Sequence, residues 1–168
     1  MMAVLGIDPG LDGALVLYGG DDDILLFDMP TVETVVHKKK KRQIDAYQVA
    51  NMIERHRDRI THAIVEQVGS MPEQGITSAF NFGYGAGVLY GVLAANVVPV
   101  QFVAPAVWKR QFGLIGKGKD ASRIAASRIA PHFSGYWPLK KHDGRAEAFL
   151  LAAWGMLRGV PANFGGTD

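Results

Sequence analysis

The sequence predicts an α/β fold in which a mixed sheet is covered by helices. Short apolar runs near the N-terminus end in turn residues, which is typical of strands. Another short apolar run stops at an acidic residue, as a buried strand would when it reaches the edge of a sheet. Segments with helical spacing separate the later strands and follow them. This order of elements predicts one layered α/β domain.

The predicted strands are short and apolar. The first ends at the turn sequence Asp8-Pro9-Gly10, and the next two each follow Gly-containing turns, so these three would pair as an antiparallel meander. Two further apolar runs later in the chain are predicted as buried strands, the first of them leading directly into Glu66. The predicted strands are residues 3–7, 14–18, 24–27, 63–65 and 97–103.

The helices are predicted from apolar spacing and from their first residues. Apolar side chains recur at helical spacing after residue 45, Pro105 is suited to a first helical turn, and Asp120 is suited to another. The basic block at 37–42 and residues 131–142 are predicted as loops. The predicted helices are residues 45–58, 74–96, 105–112, 120–130 and 143–157.

The second helix carries a stripe of small residues at intervals of four, namely Ala79, Gly83, Gly87, Gly91 and Ala95. Each glycine costs a helix about 1 kcal/mol relative to alanine, so several of them indicate a surface where another backbone comes close. Two partners fit this pattern: the sheet of the same chain, or the same helix of a second subunit.

Composition limits the classes of protein that fit. The chain has 168 residues, which suits one domain, predicted as residues 1–158, with a Gly- and Pro-containing tail at 159–168. The absence of cysteine excludes disulfides, thiolate metal sites and a cysteine nucleophile. The N-terminus does not resemble a signal peptide, so a cytoplasmic location is expected. Residues 74–108 carry no charge, but polar residues interrupt them, so no membrane span is predicted.

The positive charges are clustered although the net charge is only +2. One basic block covers residues 37–42, and a second set lies between Lys109 and Arg128 with Asp120 as its single acidic residue. Such clusters favour a polyanionic partner. A solvated loop is the alternative for each block taken alone.

Four carboxylates occupy positions where apolar residues are expected. Asp8 and Glu66 each end an apolar strand, while Asp143 and Glu147, four apart, share the face of the last helix that continues into core residues. Burying unpaired carboxylates is costly, so the four call for a shared counter-charge. Hard divalent cations, Mg²⁺ or Mn²⁺, take oxygen ligands. Two such ions held by carboxylates form a centre that cleaves phosphodiesters.

The segments that carry these residues resemble the RuvC family of Holliday junction resolvases, in the RNase H-like superfamily. They are GIDPGLDGALV, AIVEQV and HDGRAEAFLLAAWG, together with AVWKRQFGL and GKGKDASR. The resemblance implies an RNase H-like fold with a five-stranded mixed sheet and helices on both faces. It also implies a homodimer that makes paired symmetric nicks in four-way DNA junctions with two Mg²⁺ ions, or Mn²⁺, per site. The implied catalytic residues and metal ligands are Asp8, Glu66, Asp143 and Glu147.

One spacing departs from the bacterial resolvases, which place the last two acidic positions three apart. Here Asp143 and Glu147 are four apart, which is more similar to the phage and plastid branches of the family. Both spacings keep the pair on one helical face. The adjacent His142 could aid water activation or contact a phosphate, and a solvent-facing loop histidine is the alternative.

The basic residues and the loop after Glu66 are the expected DNA contacts. Lysines and arginines would neutralise phosphates, and the loop would contact opened bases at the crossover; core packing is the alternative for Phe80 and Phe82. The expected DNA-binding residues are Lys38, Lys39, Lys40, Lys41, Arg42, Met71, Gln74, Phe80, Lys109, Lys117, Lys119 and Arg123.

Three other classes of function share part of this pattern. Another RNase H-like nuclease, acting on general branched DNA or on RNA–DNA hybrids, would use the same four carboxylates and stays open. A sugar-kinase or actin-type ATPase needs two such domains, for which 168 residues are too few. A junction-binding protein without catalysis is disfavoured because all four acidic positions are filled.

Overall fold

A computed structural model describes residues 1–20, 23–36, 38–67, 69, 75–118 and 120–160. Within them five strands form one sheet, namely β1 (Ala3–Asp8), β2 (Ala14–Gly20), β3 (Asp23–Asp28), β6 (Ile60–Glu66) and β7 (Val100–Val103). Their order in the sheet is β3-β2-β1-β6-β7. The first three strands are antiparallel neighbours, and β6 and β7 continue the sheet in parallel with β1. This is the predicted mixed sheet with its antiparallel meander.

The predicted helices are present with small differences at their ends. Asp45 caps the first helix with its carboxylate, and Pro105 opens the third. The loop predicted at 131–142 contains two short 3-10 segments, Pro131–Tyr136 and Lys140–His142. The helices are α1 (Ala46–His56), α2 (Ile76–Ala95), α3 (Pro105–Gln111), α4 (Asp120–Ile129) and α5 (Asp143–Arg158).

Both faces of the sheet carry a hydrophobic core because side chains alternate along each strand. On one face Val4, Val16 and Ile64 pack with the apolar residues of α5. On the other face Leu5 and Leu15, with their same-face neighbours, pack against α1 and α2. Helices on both faces were predicted, and this arrangement confirms them.

The basic block at 37–42 was predicted as a loop, and that prediction was wrong. Residues Thr31–Val36 and Lys39–Ile44 form an antiparallel hairpin, β4 and β5, outside the main sheet. Lysine has low strand propensity, but the β-branched residues of β4 provide a partner strand, and Lys38 turns the chain with a φ of 62°. Ile44 anchors the end of the hairpin in the core beside α1 and α2.

The helix α5 lies directly on β1, and glycine makes the contact possible. A Cβ at Gly6 would lie 2.0 Å from the carbonyl oxygen of Ala148 and 2.4 Å from the backbone nitrogen of Ala152. No side chain fits there, so the helix backbone rests on the strand. Every described residue from Ala148 to Gly155 is buried as a result.

The small-residue stripe of α2 does not face the sheet of its own chain. A Cβ at Gly83, Gly87 or Gly91 would meet no atom within 4 Å among the described residues. The buried side of α2 instead carries Leu89 and Leu93. Of the two predicted partners for the stripe, the chain's own sheet is therefore excluded for the described part of the chain.

Two other predictions concern the C-terminal tail with the domain bounds, and the absence of a membrane-spanning helix. Residues 161–168, most of the predicted tail, lie outside the described residues, so the tail and the domain bounds stay predictions. In the described part of the chain no helix is both long enough and apolar enough to cross a membrane.

Candidate active site

Asp8 and Glu66 lie side by side at the ends of two parallel strands. The strand register pairs Ile7 with Val65, so the next residue on each strand reaches the same edge of the sheet. The crevice beyond the carboxyl ends of parallel strands is where open α/β sheets bind ligands. Asp8 Oδ1 accepts a hydrogen bond from the backbone N–H of Gly10 at 3.1 Å, which orients its carboxylate in the turn between β1 and β2.

The first turn of α5 is held against this edge by Gly144. A Cβ at Gly144 would lie 2.8 Å from Asp8 Oδ2 and 2.7 Å from the carbonyl oxygen of Asp12. Only glycine lets the helix begin this close to the β1–β2 turn. The contact brings the Asp143 and Glu147 side chains to a cavity of about 540 Å³ that Asp8 also lines.

The carboxylates near Asp8 and Glu66 are crowded and partly shielded from water. Burial raises the pKa of Asp8 to about 7, and the nearby charges of Glu147 and Glu66 add to this against the opposing hydrogen bond from Gly10. Burial also raises the pKa of Glu66, opposed by a hydrogen bond from Trp108 and increased by Glu147. Three of the four predicted carboxylates therefore interact electrostatically across the cleft.

Two buried side chains that were not predicted from the sequence form hydrogen bonds with Glu66 and Glu147. Trp108, fully buried, donates its indole N–H to Glu66 Oε2 at 2.8 Å. Ser122, also buried, donates its hydroxyl to Glu147 Oε1 at 3.0 Å. Each lies on a helix, α3 or α4, that is far from its partner in sequence. The single available signal was weak: a tryptophan and a serine among basic residues.

Two of the expected DNA-binding cations are paired with the acidic residues instead of being free. Lys109 Nζ lies 3.3 Å from Glu147 Oε1, and Arg123 Nε donates to Asp143 Oδ1 at 3.1 Å. Arg123 also pairs with Asp120 and donates to the carbonyl oxygen of Pro138. These ion pairs place a positive charge directly against each of the two α5 carboxylates.

The four carboxylates fit a hard divalent cation in their chemistry. They supply oxygen ligands only. Burial, together with the neighbouring carboxylates, raises the pKa of Asp8 and of Glu66, and a bound cation would favour the ionised form of both. No three Asp, Glu or His side chains in the described residues converge closely enough to form a metal-binding group.

His142 immediately precedes α5 and is turned toward the backbone. Its Nδ1 accepts a hydrogen bond from the Leu139 N–H at 3.3 Å. Partial burial lowers the pKa of His142, and the charges of Arg145 and Lys141 lower it further. The lowered pKa favours the neutral form of the ring.

The remaining expected DNA contacts fall in three places. The β4–β5 hairpin carries Lys38, Lys40, Lys41 and Arg42. Arg42 pairs with Asp12 of the turn between β1 and β2, and Lys40 pairs with Glu33. Phe80 is 70% exposed on α2, which excludes core packing for it within the described residues. Lys117 is exposed beside α4. Met71, Gln74, Lys119 and the side chain of Lys39 lie outside the described residues.

Comparison with known proteins identifies the fold and a sequence relative. The chloroplastic Holliday junction resolvase MOC1 of Chlamydomonas reinhardtii is 32% identical over 105 residues, which are 62% of this chain and 12% of that protein. This chain therefore spans a small part of its relative. The similarity fits the plastid branch that the spacing of the last two acidic residues indicated.

Solved structures of RuvC share the architecture. The Thermus thermophilus RuvC structure superposes with a TM-score of 0.60 at 17% identity, covering 95% of this chain and 98% of that one. T. thermophilus RuvC in complex with Holliday junction substrate gives a TM-score of 0.59 at 18% identity, covering 95% and 97%. The chain matches no protein-family model. The predicted RNase H-like α/β fold is thereby confirmed.

Proposed function

We propose that this protein is an endonuclease that resolves four-way DNA junctions by paired symmetric nicks, using two divalent metal ions per active site. One observation carries the proposal: α5 packs on β1 so that Asp143 and Glu147 line the same cavity as Asp8, at the edge of a RuvC-like sheet where Glu66 ends the neighbouring strand. The similarity to a junction resolvase supports the substrate class.

The residues of the cleft have distinct roles in this proposal. Asp8, Glu66, Asp143 and Glu147 would hold the cations. Two bound Mg²⁺ ions would supply activation of water and neutralisation of the charge on the leaving oxygen. Trp108 and Ser122 orient Glu66 and Glu147 through their hydrogen bonds.

Lys109 and Arg123 would exchange partners when DNA binds. They pair with Glu147 and Asp143 in this structure. An incoming phosphate would compete for both cations, and their release would leave the two carboxylates available to the metal ions. The chain's own positive charges thus keep the acidic cleft compatible with a polyanionic substrate.

The homodimer is proposed from the exposed face of α2. Gly83, Gly87 and Gly91 lie on that face, and Phe80 and Tyr90 stand beside them, 70% and 52% exposed. A flat glycine stripe bordered by exposed aromatic rings suits close packing against the same helix of a second copy. Two copies are required for paired nicks because the two strands to be cut are opposed across the junction.

A substrate panel tests the function. The protein is incubated with a four-way junction, a linear duplex and an RNA–DNA hybrid, each with Mg²⁺ and each with EDTA, and Asp8→Asn is the inactive control. Paired nicks in the junction alone, only with Mg²⁺ and absent with Asp8→Asn, are expected. Preferential cutting of the hybrid, or equal cutting of all branched DNA, would favour the other RNase H-like nuclease.

A further inference from the structure

Lys140 and Lys141 lie between two neighbouring cavities. The first is the candidate active-site cavity of about 540 Å³, lined by Asp8, Asp143 and Glu147. The second, of about 580 Å³, is lined by Lys117, Asp120 and other residues around the start of α4, and is called the α4 cavity below. Lys140, Lys141 and Asp143 line both, so the cavities adjoin and share one wall.

The two lysines are the cations of this wall that have no carboxylate partner. Both are exposed on the 3-10 segment before α5, and neither forms an ion pair with any described residue. By contrast, Lys109 forms an ion pair with Glu147, and Arg123 forms ion pairs with Asp143 and Asp120. Lys140 and Lys141 were not among the DNA contacts expected from the sequence.

The charge in the α4 cavity is unevenly distributed. Asp120 and Asp143, the two acidic residues that line it, both pair with Arg123. Three further lysines, Lys117, Lys140 and Lys141, form no ion pair with a described residue, although the charge of Lys140 acts on Asp120 at longer range. An open, positively charged cavity beside a cleft that cuts a phosphodiester suits the next phosphate of the same strand. Lysine ammonium groups bind such phosphates as compact charges.

We propose that the α4 cavity binds the phosphodiester adjacent to the one that is cut, and that Lys140 and Lys141 hold its oxygens on the wall shared with the active site. The inference rests on the proposed function and deepens it, because it assigns the path of the cleaved strand from the Asp8 cleft toward the start of α4. These lysines act as positioning residues, since they hold the strand in register without contacting the reacting atoms.

The test measures coupling between the lysines and one phosphate. Junctions carry an uncharged methylphosphonate at the linkage on either side of the cut, in turn, and dissociation constants are measured in EDTA for the wild-type protein and for Lys140→Ala/Lys141→Ala. For one of the two linkages, the wild type should lose about tenfold in affinity, the low end for a hydrogen bond to a charged group. Lys140→Ala/Lys141→Ala should bind the unmodified junction about tenfold more weakly than the wild type does. The methylphosphonate should then weaken binding by this variant only a little further.

Two further variants separate this role from a general charge effect. Lys140→Arg/Lys141→Arg keeps the charges and should keep both the affinity and the coupling. Arg55→Ala/Arg128→Ala removes two exposed positive charges elsewhere and should weaken binding without any coupling to the neighbouring phosphate. Melting temperatures check that each variant is folded.

The outcomes distinguish the inference from the function on which it rests. Additive losses at both linkages, or a Lys140/Lys141 variant that behaves like the Arg55/Arg128 control, would overturn the inference even if the junction is cut normally. Coupling observed in a protein that binds the junction but does not cut it in Mg²⁺ would support the phosphate site and contradict the proposed function. A protein that does not bind the junction contradicts both.

Discussion

The indole N–H of Trp108 lies 2.8 Å from Glu66 Oε2 and donates a hydrogen bond to it, which joins the hydrophobic core to the candidate active site. The ring is fully buried among apolar residues, while its single polar atom reaches the carboxylate at the end of β6. A donor held this rigidly favours the ionised form of Glu66 against the burial that raises its pKa.

Trp108→Phe removes the donor and keeps an aromatic ring. The pKa of Glu66 should rise further, so the acid limb of the pH–rate profile for junction cutting should move to higher pH. Loss of the hydrogen bond and of packing should lower the free energy of unfolding by about 1–3 kcal/mol.

Trp137→Phe is the matched control. Trp137 is also buried and donates its indole N–H to Ser127 at 2.9 Å, with no predicted metal ligand as its partner. Trp137→Phe should lower the free energy of unfolding by a similar amount and leave the pH–rate profile unchanged. Equal profiles for the two variants would show that Trp108 serves packing alone.

Asp8 gives the protein a pH-dependent stability of known sign. Burial raises the pKa of Asp8 from an ordinary 3.8 to about 7, so the folded state keeps a proton that the unfolded state releases. This contribution therefore stabilises the fold at low pH and is lost as pH rises from about 4 to 7. Asp8→Asn cannot ionise and should exceed the wild type by about 2–4 kcal/mol in free energy of unfolding at pH 8.

Urea unfolding at pH 5 and pH 8, in EDTA, measures this difference. Asp58→Asn changes an exposed aspartate just before β6, at the opposite end of that strand from Glu66. Its free energy of unfolding should match that of the wild type at both pH values. If Asp8→Asn and the wild type lose stability in parallel between pH 5 and pH 8, Asp8 is not the group responsible.

Asp143→Asn and Glu147→Gln should each reduce junction cutting by about a hundredfold or more, because several kcal/mol of metal-dependent charge stabilisation depend on the carboxylates. Junction binding should persist, since lysines and arginines provide it. Repulsion among the carboxylates alone favours an unchanged or raised melting temperature; the Asp143–Arg123 pair opposes this, but it is partly exposed and contributes at most about 1 kcal/mol.

Nicking assays in Mg²⁺ and melting curves in EDTA are measured together. Glu54→Gln, on the exposed side of α1, is the control for loss of one negative charge. A variant of Asp143 that melts much lower and yet cuts at the normal rate while folded would assign Asp143 to structure and not to metal binding.

Gly87→Leu should disrupt the proposed dimer, because a leucine would separate two helices packed at the glycine stripe. Sedimentation at micromolar concentration should show a dimer for the wild type and a monomer for the variant. Gly135→Leu adds the same side chain at another open position, where a Cβ would meet no atom of the described residues within 4 Å, and should leave the dimer intact. A monomeric wild type contradicts the proposal directly.

Replacing Lys38, Lys39, Lys40 and Lys41 together by Ala should flatten the salt dependence of junction binding. Each lost phosphate contact lowers the slope of log K against log salt by about 0.9. The Lys40–Glu33 ion pair is highly exposed, so it should not prevent Lys40 from contacting DNA. Arg55→Ala/Arg128→Ala is the control. An unchanged slope for the lysine variant would show that the hairpin lysines do not contact the DNA phosphates.

Local sequence patterns predicted most of the elements because each has a strong signal. The apolar run before Asp8 and the small and apolar face of α5 follow the periods of strand and helix. The β4–β5 hairpin was missed because its lysines oppose strand formation locally, and only pairing with β4 and anchoring through Ile44 make it favourable. Tertiary context outweighed propensity there.

Local sequence patterns were enough to predict that Asp8 and Glu66 end apolar strands and that Asp143 and Glu147 share one face of a helix. These relations depend on residues close together in the chain, and periodicity reports them. Tertiary packing sets which side chains lie against the carboxylates: Trp108 against Glu66, Lys109 and Ser122 against Glu147, and Arg123 against Asp143. Those partners lie on α3 and α4, distant in sequence from the carboxylates that they contact. Contacts between segments so far apart depend on how whole helices pack, which no local pattern of residues encodes.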